Sequence, residues 1–326
     1  MSWSRVVEAP FQLGESPFWH PDEQSLYWVD IPGCAILRAN VFMGTCEVWP
    51  MAQQPGCMAP VQGGGLVIAL RDGIYRANDW GDHLQRICAA PYDSQQLRFN
   101  DGKADPLGRF WAGSYCDKAT SPDGALYCLE TDPQDDKPDA QPGRAAGLRL
   151  VEKTRPARVS NGLAFSPDHK TLYWSDTAQG KIFAFDWIAA SNHLQNQRVF
   201  KQFDAKPAGW TYGTPGYQNY QGRPDGATVD VEGNYYVAMF EGAAVLKLSP
   251  RGELLQKIPL PAMCPTMPCL GGDDLKTLYV TTATIGRSSQ ELADLPWSGC
   301  TLALRVDVPG LPVNFINPQG FEGHTV

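Results

Sequence analysis

The chain has 326 residues, 43% of them hydrophobic and 19% charged, a balance that excludes disorder because enough apolar surface is available to offset the entropy of ordering. Its 32 glycines and 27 prolines exceed average usage of about 7% and 5%, which argues against long helical bundles. A formal net charge of −8 with no Lys/Arg cluster excludes nucleic acid as a partner.

In chain order, a short strand rich in aromatic and β-branched residues recurs six times: Leu26-Tyr27-Trp28-Val29, Leu66-Val67-Ile68, Phe110-Trp111-Ala112, Leu172-Tyr173-Trp174, Tyr235-Tyr236-Val237 and Leu278-Tyr279-Val280. Each is followed by a second strand that opens near a glycine, at Gly33, Gly73, Gly124, Gly180, Gly242 and Gly299. Turn formers stand ahead of the aromatic strands, as in Asp105-Pro106-Leu107-Gly108, Ser166-Pro167-Asp168 and Val231-Glu232-Gly233-Asn234. Repetition at roughly 40–50 residues plus loops is the signature of propeller blades, so the expected fold is all-β, a single six-bladed β-propeller domain over residues 1–326. A two-sheet sandwich or two unrelated β domains would also satisfy strand and turn statistics, but no compositional break divides the chain. The polar or Gly-rich stretches Thr131 to Pro142 and Asp204 to Pro224 read as loops of that one domain.

The longest apolar runs, such as Leu66 to Leu70, are far short of the ~20 residues that span a bilayer, and the N-terminal residues Met1 to Arg5 show no apolar signal region. Nine cysteines without CxxC or Cys/His spacing read as free structural thiols, including Cys264 and Cys269. A cytoplasmic protein with no membrane partner, a monomer or weak homo-oligomer, is expected. The histidines His20, His83, His169, His193 and His324 lack metal-ligand spacing and read as surface residues.

Four oxygen-bearing residues precede the aromatic strands by a common offset. Glu15 lies twelve residues before Tyr27 and Asn161 twelve before Tyr173; Asp225 lies eleven before Tyr236 and Asn100 eleven before Trp111. At the start of innermost blade strands they would converge on the channel axis, an all-oxygen set suited to calcium, magnesium or manganese, with zinc less typical. The glycines that follow Asn161 and Asp225, and the sequence Asn100-Asp101-Gly102, are also ordinary hairpin signals; turn chemistry explains those three positions but not Glu15-Ser16-Pro17.

Gly14-Glu15-Ser16-Pro17-Phe18-Trp19, Arg98-Phe99-Asn100-Asp101-Gly102-Lys103, Gly108-Arg109-Phe110-Trp111-Ala112-Gly113, Ser160-Asn161-Gly162-Leu163-Ala164-Phe165-Ser166 and Pro224-Asp225-Gly226 resemble, in order, motifs of the gluconolactonase, senescence marker protein (regucalcin) and luciferin-regenerating enzyme family. The resemblance implies a six-bladed propeller with one divalent metal ion on Glu15, Asn161 and Asp225, and substrate contacts from Arg98 and Asn100. It leaves the role of Asp101 open. Two departures fall near the expected mouth: Ser114-Tyr115-Cys116-Asp117 stands where the family commonly has a small residue and Met, and the stretch before Pro224 carries Trp210, Tyr212, Tyr217 and Tyr220.

The expected activity is hydrolysis of a sugar lactone, with the metal as Lewis acid on the ring carbonyl and Asp225 as general base or water-orienting group. Two other readings stand beside it: hydrolysis of another ester-like or phosphotriester substrate, and a non-catalytic calcium- or ligand-binding propeller. No GxSxG elbow, HExxH helix, Walker loop or dinucleotide fingerprint offers a further chemistry.

Overall fold

The computed structural model describes residues 2–8, 10–117, 123–131, 147–216 and 219–318, and the descriptions below concern these. Most of the 131–142 stretch, Tyr217 and His324 lie outside them.

Six four-stranded antiparallel sheets form a six-bladed β-propeller. The first sheet is β2 (Gly14–His20), β3 (Ser25–Asp30), β4 (Ala35–Asn40) and β5 (Thr45–Pro50). The second is β6 (Pro55–Pro60), β7 (Leu66–Leu70), β8 (Gly73–Ala77) and β9 (Gln85–Ala89). The third is β10 (Leu97–Ala104), β11 (Phe110–Cys116), β12 (Gly124–Thr131) and β13 (Leu148–Ala157). The fourth is β14 (Ser160–Phe165), β15 (Thr171–Asp176), β16 (Lys181–Ile188) and β17 (His193–Gln202). The fifth is β18 (Arg223–Val229), β19 (Tyr235–Phe240), β20 (Ala244–Leu248) and β21 (Leu254–Pro259). The sixth joins β22 (Pro265–Gly271), β23 (Thr277–Thr282) and β24 (Leu302–Arg305) to β1 (Ser4–Arg5) from the other end of the chain. Pairing of Ser4 with Ala303 and of Arg5 with Leu302 closes the ring, so the last sheet is completed only once both ends are in place.

All six aromatic strands read from the sequence are the second strands of these sheets. Their composition follows from position. A second strand is covered on both faces by neighbouring sheets, which suits large apolar side chains on every residue; Trp28, Trp111, Trp174, Tyr235 and Tyr236 are fully buried. Six apolar clusters fill the six junctions between successive sheets. Trp28 and Tyr279 share the junction of the sixth and first sheets, and Trp111 and Trp174 that of the third and fourth. Truncating any of these tryptophans to Ala is expected to cost ~3–5 kcal/mol.

The inner strands β2, β6, β10, β14, β18 and β22 share a distortion. Each slips register against its second strand near its start, between Glu15 and Phe18, Pro55 and Cys57, Phe99 and Gly102, Asn161 and Ala164, Pro224 and Ala227, and Pro265 and Pro268. A bulge re-aims the side chains it carries, and here six equivalent bulges ring one end of the channel. The common offset in the sequence is the trace of this ring. Between β17 and β18 runs the aromatic loop, and between β23 and β24 lies a short helix, α1 (Ser289–Asp294), capped by Ser288. Among the described residues no helix is long and apolar enough to cross a membrane.

Candidate active site

The bulges of β2, β10, β14 and β18 carry Glu15, Asn100 with Asp101, Asn161 and Asp225, and all five side chains are buried, between 2% and 6% exposed. Local backbone explains their placement. Gly162, directly after Asn161, has φ +60°, and a Cβ there would stand 2.1 Å from Ser175 Oγ and 2.5 Å from Tyr235 Oη. The Tyr235 hydroxyl donates to the Gly162 carbonyl at 2.6 Å, so the fifth sheet pins the bulge of the fourth. Gly56 serves from the second sheet: a Cβ there would fall 2.4 Å from the Phe99 carbonyl oxygen and 2.9 Å from the Asn100 nitrogen, so only glycine lets β6 pack against the backbone that carries Asn100.

The amides form a directed chain. Arg98 Nη1 donates to Asn100 Oδ1 at 2.8 Å and to the Phe99 carbonyl at 2.9 Å. Asn100 Nδ2 donates to Asn161 Oδ1 at 2.8 Å and to the Ser160 carbonyl at 3.0 Å. Asn161 Nδ2 donates to Thr177 Oγ1 at 2.7 Å, on a 3-10 turn (Thr177–Gln179) capped by Asp176. These bonds fix which way both amides point. Asn161 presents its oxygen toward the third sheet, and Asn100, with both N–H groups committed, meets a guest as an acceptor.

The carboxylates are electrostatically strained. Burial drives the Glu15 carboxyl well above its usual range, and the negative charges of Asp225 and Asp101 push it further. Burial likewise raises Asp225, to about 8, against the pull of Arg223 and with the push of Asp101. Asp101 is raised by burial too, although Lys103 and the Leu163 N–H, donating at 2.8 Å to Oδ2, oppose the shift. Its Oδ1 is buried without a hydrogen-bond partner. Three acidic groups with raised proton affinity, two oriented amide oxygens nearby and an orphaned carboxylate oxygen make a donor set short of positive charge, which fits a hard divalent cation. Among the described residues no three His, Cys, Asp or Glu side chains cluster tightly enough to hold a metal without the amides.

Arg98 is held from the mouth side. Its Nε lies 3.4 Å from Asp117 Oδ1, its guanidinium sits 4.7 Å from the Tyr115 ring centroid, and Arg71 also pairs with Asp117. Among the described residues no hydrogen bond engages Arg98 Nη2. The Ser114-Tyr115-Cys116-Asp117 departure is thus the seat of Arg98. Arg71 and Gly56 carry no motif signal; only the packing of the second sheet against the third brings them in.

The aromatic loop is anchored rather than loose. Glu241, 2% exposed, receives Lys206 Nζ at 2.7 Å, Arg287 Nη1 at 3.1 Å, Tyr220 Oη at 3.1 Å and Arg223 Nη2 at 3.1 Å. Trp210 is buried beneath it, 5.1 Å from the Tyr220 ring and 5.0 Å from Lys206 Nζ. Trp210 and Tyr220 therefore pack the loop onto the propeller, and Tyr212 is half-buried. His20 departs from its surface reading: it is 7% exposed, with its ring 5.3 Å from Phe315, because the last described segment folds across the channel end of β2. His83, His169 and His193 are exposed, and none of the nine cysteines forms a disulfide, six of them being buried.

Residues 13–284 match the family model of the SMP-30/Gluconolactonase/LRE-like region. The chain is 37% identical over 305 residues to a 6-deoxy-6-sulfogluconolactonase of Pseudomonas putida, covering 94% of this chain and 95% of that protein. It is 34% identical over 322 residues to regucalcin of Danio rerio, covering 98% and 97%. Of solved structures, a luciferin-regenerating enzyme superposes with a TM-score of 0.81 at 26% identity, over 97% of this chain and 99% of that one. A calcium-binding regucalcin of Agrobacterium tumefaciens gives 0.82 at 23% over 96% of each, a likeness of fold. The chain belongs to the SMP-30/gluconolactonase/LRE-like family.

Proposed function

We propose that this protein is a lactonase, a hydrolase of carboxylic ester bonds, that opens the ring of a sugar lactone at the bulge end of the channel with the help of one divalent cation. The observation that carries this reading is the placement, on bulges that ring one end of the channel, of an electron-rich oxygen set (Glu15, Asn161, Asp225) together with Arg98, whose Nη2 no described residue engages, and the acceptor face of Asn100. Family membership and a sulfogluconolactonase relative support the substrate class, and calcium-binding regucalcin supports a divalent ion.

Glu15, Asn161 and Asp225 would hold the ion, which when bound supplies Lewis-acid polarisation of an ester carbonyl and makes a coordinated water more acidic. The protein's own groups do the rest. Arg98 Nη2 donates to a substrate oxygen, with Asp117 and Tyr115 holding the guanidinium plane. Asn100 Oδ1 accepts from a sugar hydroxyl. The buried Asp225 carboxylate accepts the proton of the attacking water as the water oxygen adds to the ring carbonyl carbon, and returns it to the ring oxygen as the ring C–O bond breaks, so that the hydroxy acid leaves and Asp225 is again a carboxylate. A structural ion alone would need neither Arg98 nor Asn100. Nine cysteines without a disulfide suit a reducing compartment, and we place the enzyme in the cytoplasm.

The test is base-consumption titration across a panel of aldonolactones, neutral and 6-sulfonated, with and without chelator. Chelator-sensitive hydrolysis of at least one member is expected. Hydrolysis of none, or of all at rates a chelator leaves unchanged, overturns the proposal.

A further inference from the structure

The bulge ring occupies one end of the channel. Beyond it, toward the ends of the inner strands, lies a cavity of about 270 Å³ that none of Glu15, Asn100, Asn161 and Asp225 lines. Lys103 divides the two spaces. Its side chain leaves β10 in the third sheet and reaches β18 in the fifth, where Nζ donates to the Ala227 carbonyl at 2.9 Å. An ammonium carries three N–H donors, and no other protein acceptor engages this one among the described residues.

The walls are mostly apolar, with Phe18, Met58, Met267, Leu270, Leu311 and Val313 among them. Among the described residues no Asp or Glu side chain lines the cavity, although the protein carries a net charge of −8. Burial lowers the proton affinity of Lys103, and the charge of Asp101, which belongs to the bulge ring and does not border this space, acts to raise it. Ser166, His169 and Asn314 stand among the lining residues. A concave, mainly apolar space with a lysine that has donors to spare is the pattern of a small-ligand site, and the sign of the ammonium charge selects an anion.

We infer that this cavity is a second binding site, separate from the hydrolytic mouth, for a small organic monoanion with an apolar body, whose carboxylate is held by Lys103. The apolar part lies against Met58, Met267 and Leu311, and the carboxylate displaces water from the ammonium rather than any protein partner. The site stands independently of lactone hydrolysis.

Hexanoate is the probe, titrated by calorimetry and by saturation-transfer NMR into the full chain, with hexylammonium and 1-hexanol as controls. Lys103→Met keeps the stem and removes the charge, and Leu311→Trp fills the cavity from a segment outside the six inner strands. Saturable hexanoate binding, no saturable hexylammonium binding, and a loss of about ten-fold or more in affinity in either variant are expected. Excess gluconate, a sugar acid of the kind released at the hydrolytic mouth, leaves the binding unchanged. The proposal is overturned by absent saturation, by equal binding of hexanoate and hexylammonium, by wild-type affinity in Leu311→Trp, or by displacement with gluconate. Should Lys103→Met fail to fold, Leu311→Trp and the charge-reversed probe decide the matter.

Discussion

Asn100 donates a 2.8 Å hydrogen bond from Nδ2 to Oδ1 of Asn161, tying the residue proposed to meet substrate to the residue proposed to meet the cation. The third and fourth sheets thus share one amide pair. Replacing Asn100 with Ala removes the donor that orients Asn161 and leaves Arg98 Nη1 with the Phe99 carbonyl alone. Loss of a buried hydrogen bond is worth about 1–2 kcal/mol. We expect Asn100→Ala to weaken divalent-cation binding about ten-fold by calorimetry, besides lowering kcat/KM; unchanged cation affinity would show that the pair does not act as a unit.

Glu15 and Asp225 are buried carboxyls beside further negative charge, and ionising them without a counter-ion costs stability. Asp225→Asn keeps the shape and removes one charge. In the chelated protein at pH 8 the variant is expected to melt several degrees higher than wild type, for a gain of about 2 kcal/mol. With saturating cation the order reverses, since wild type alone gains the full binding free energy. A lower melting temperature of Asp225→Asn in chelator would contradict the electrostatic account.

Glu241 gives a pH dependence of opposite sign. Burial by itself would raise its carboxyl, but the Lys206 hydrogen bond and the Arg223 charge outweigh it, and the net position is below the ordinary glutamate value. A folded pKa below the unfolded one contributes stability that is present above the unfolded value and is lost as pH falls through the folded value. The aromatic loop should therefore loosen in acid, below the usual carboxylate range, and stay anchored at neutral pH. Limited proteolysis within residues 205–222, followed between pH 3 and 7, checks this. Glu241→Gln is expected to destabilise by ~2–3 kcal/mol and to expose the loop at pH 7.

The two glycines of the bulges should differ from surface glycines. Gly162→Ala meets Ser175 and Tyr235 at a positive φ, with an expected loss of about 2–4 kcal/mol. Gly56→Ala would push on the backbone at Asn100 and is expected to lower kcat/KM more than it lowers the melting temperature. Gly44, at φ +65° with open space around its Cβ position, serves as the comparison, and Gly44→Ala should cost about 1 kcal/mol with activity retained.

Much of this arrangement was legible in the sequence. Second strands buried on both faces demand aromatic and β-branched residues, so their six positions stood out, as did the offset of Glu15, Asn100, Asn161 and Asp225. The bulges themselves were hidden because a register slip leaves no compositional mark beyond a glycine, and the glycine of the second sheet, Gly56, follows a proline in an unremarkable run. The seat of Arg98 depends on Asp117 and Arg71, which meet only when two sheets are side by side. The aromatic loop was visible as composition, yet its anchor Glu241 lies beyond β18 and pairs with Arg287 far along the chain. Long-range ion pairs of this kind carry no local pattern. The burial of His20 escapes the sequence for a related reason, since its cover comes from Phe315.

Glu15, Asn161 and Asp225 are proposed to hold one divalent cation on which lactone hydrolysis depends. Calorimetric titration of calcium, magnesium, manganese and zinc into chelated wild type and Glu15→Gln, with hydrolysis of the best lactone measured on the same samples, tests it most directly. One binding site per chain, lost in Glu15→Gln together with hydrolysis, is the predicted result. Full hydrolysis by the chelated wild type, or undiminished binding in Glu15→Gln, would contradict it.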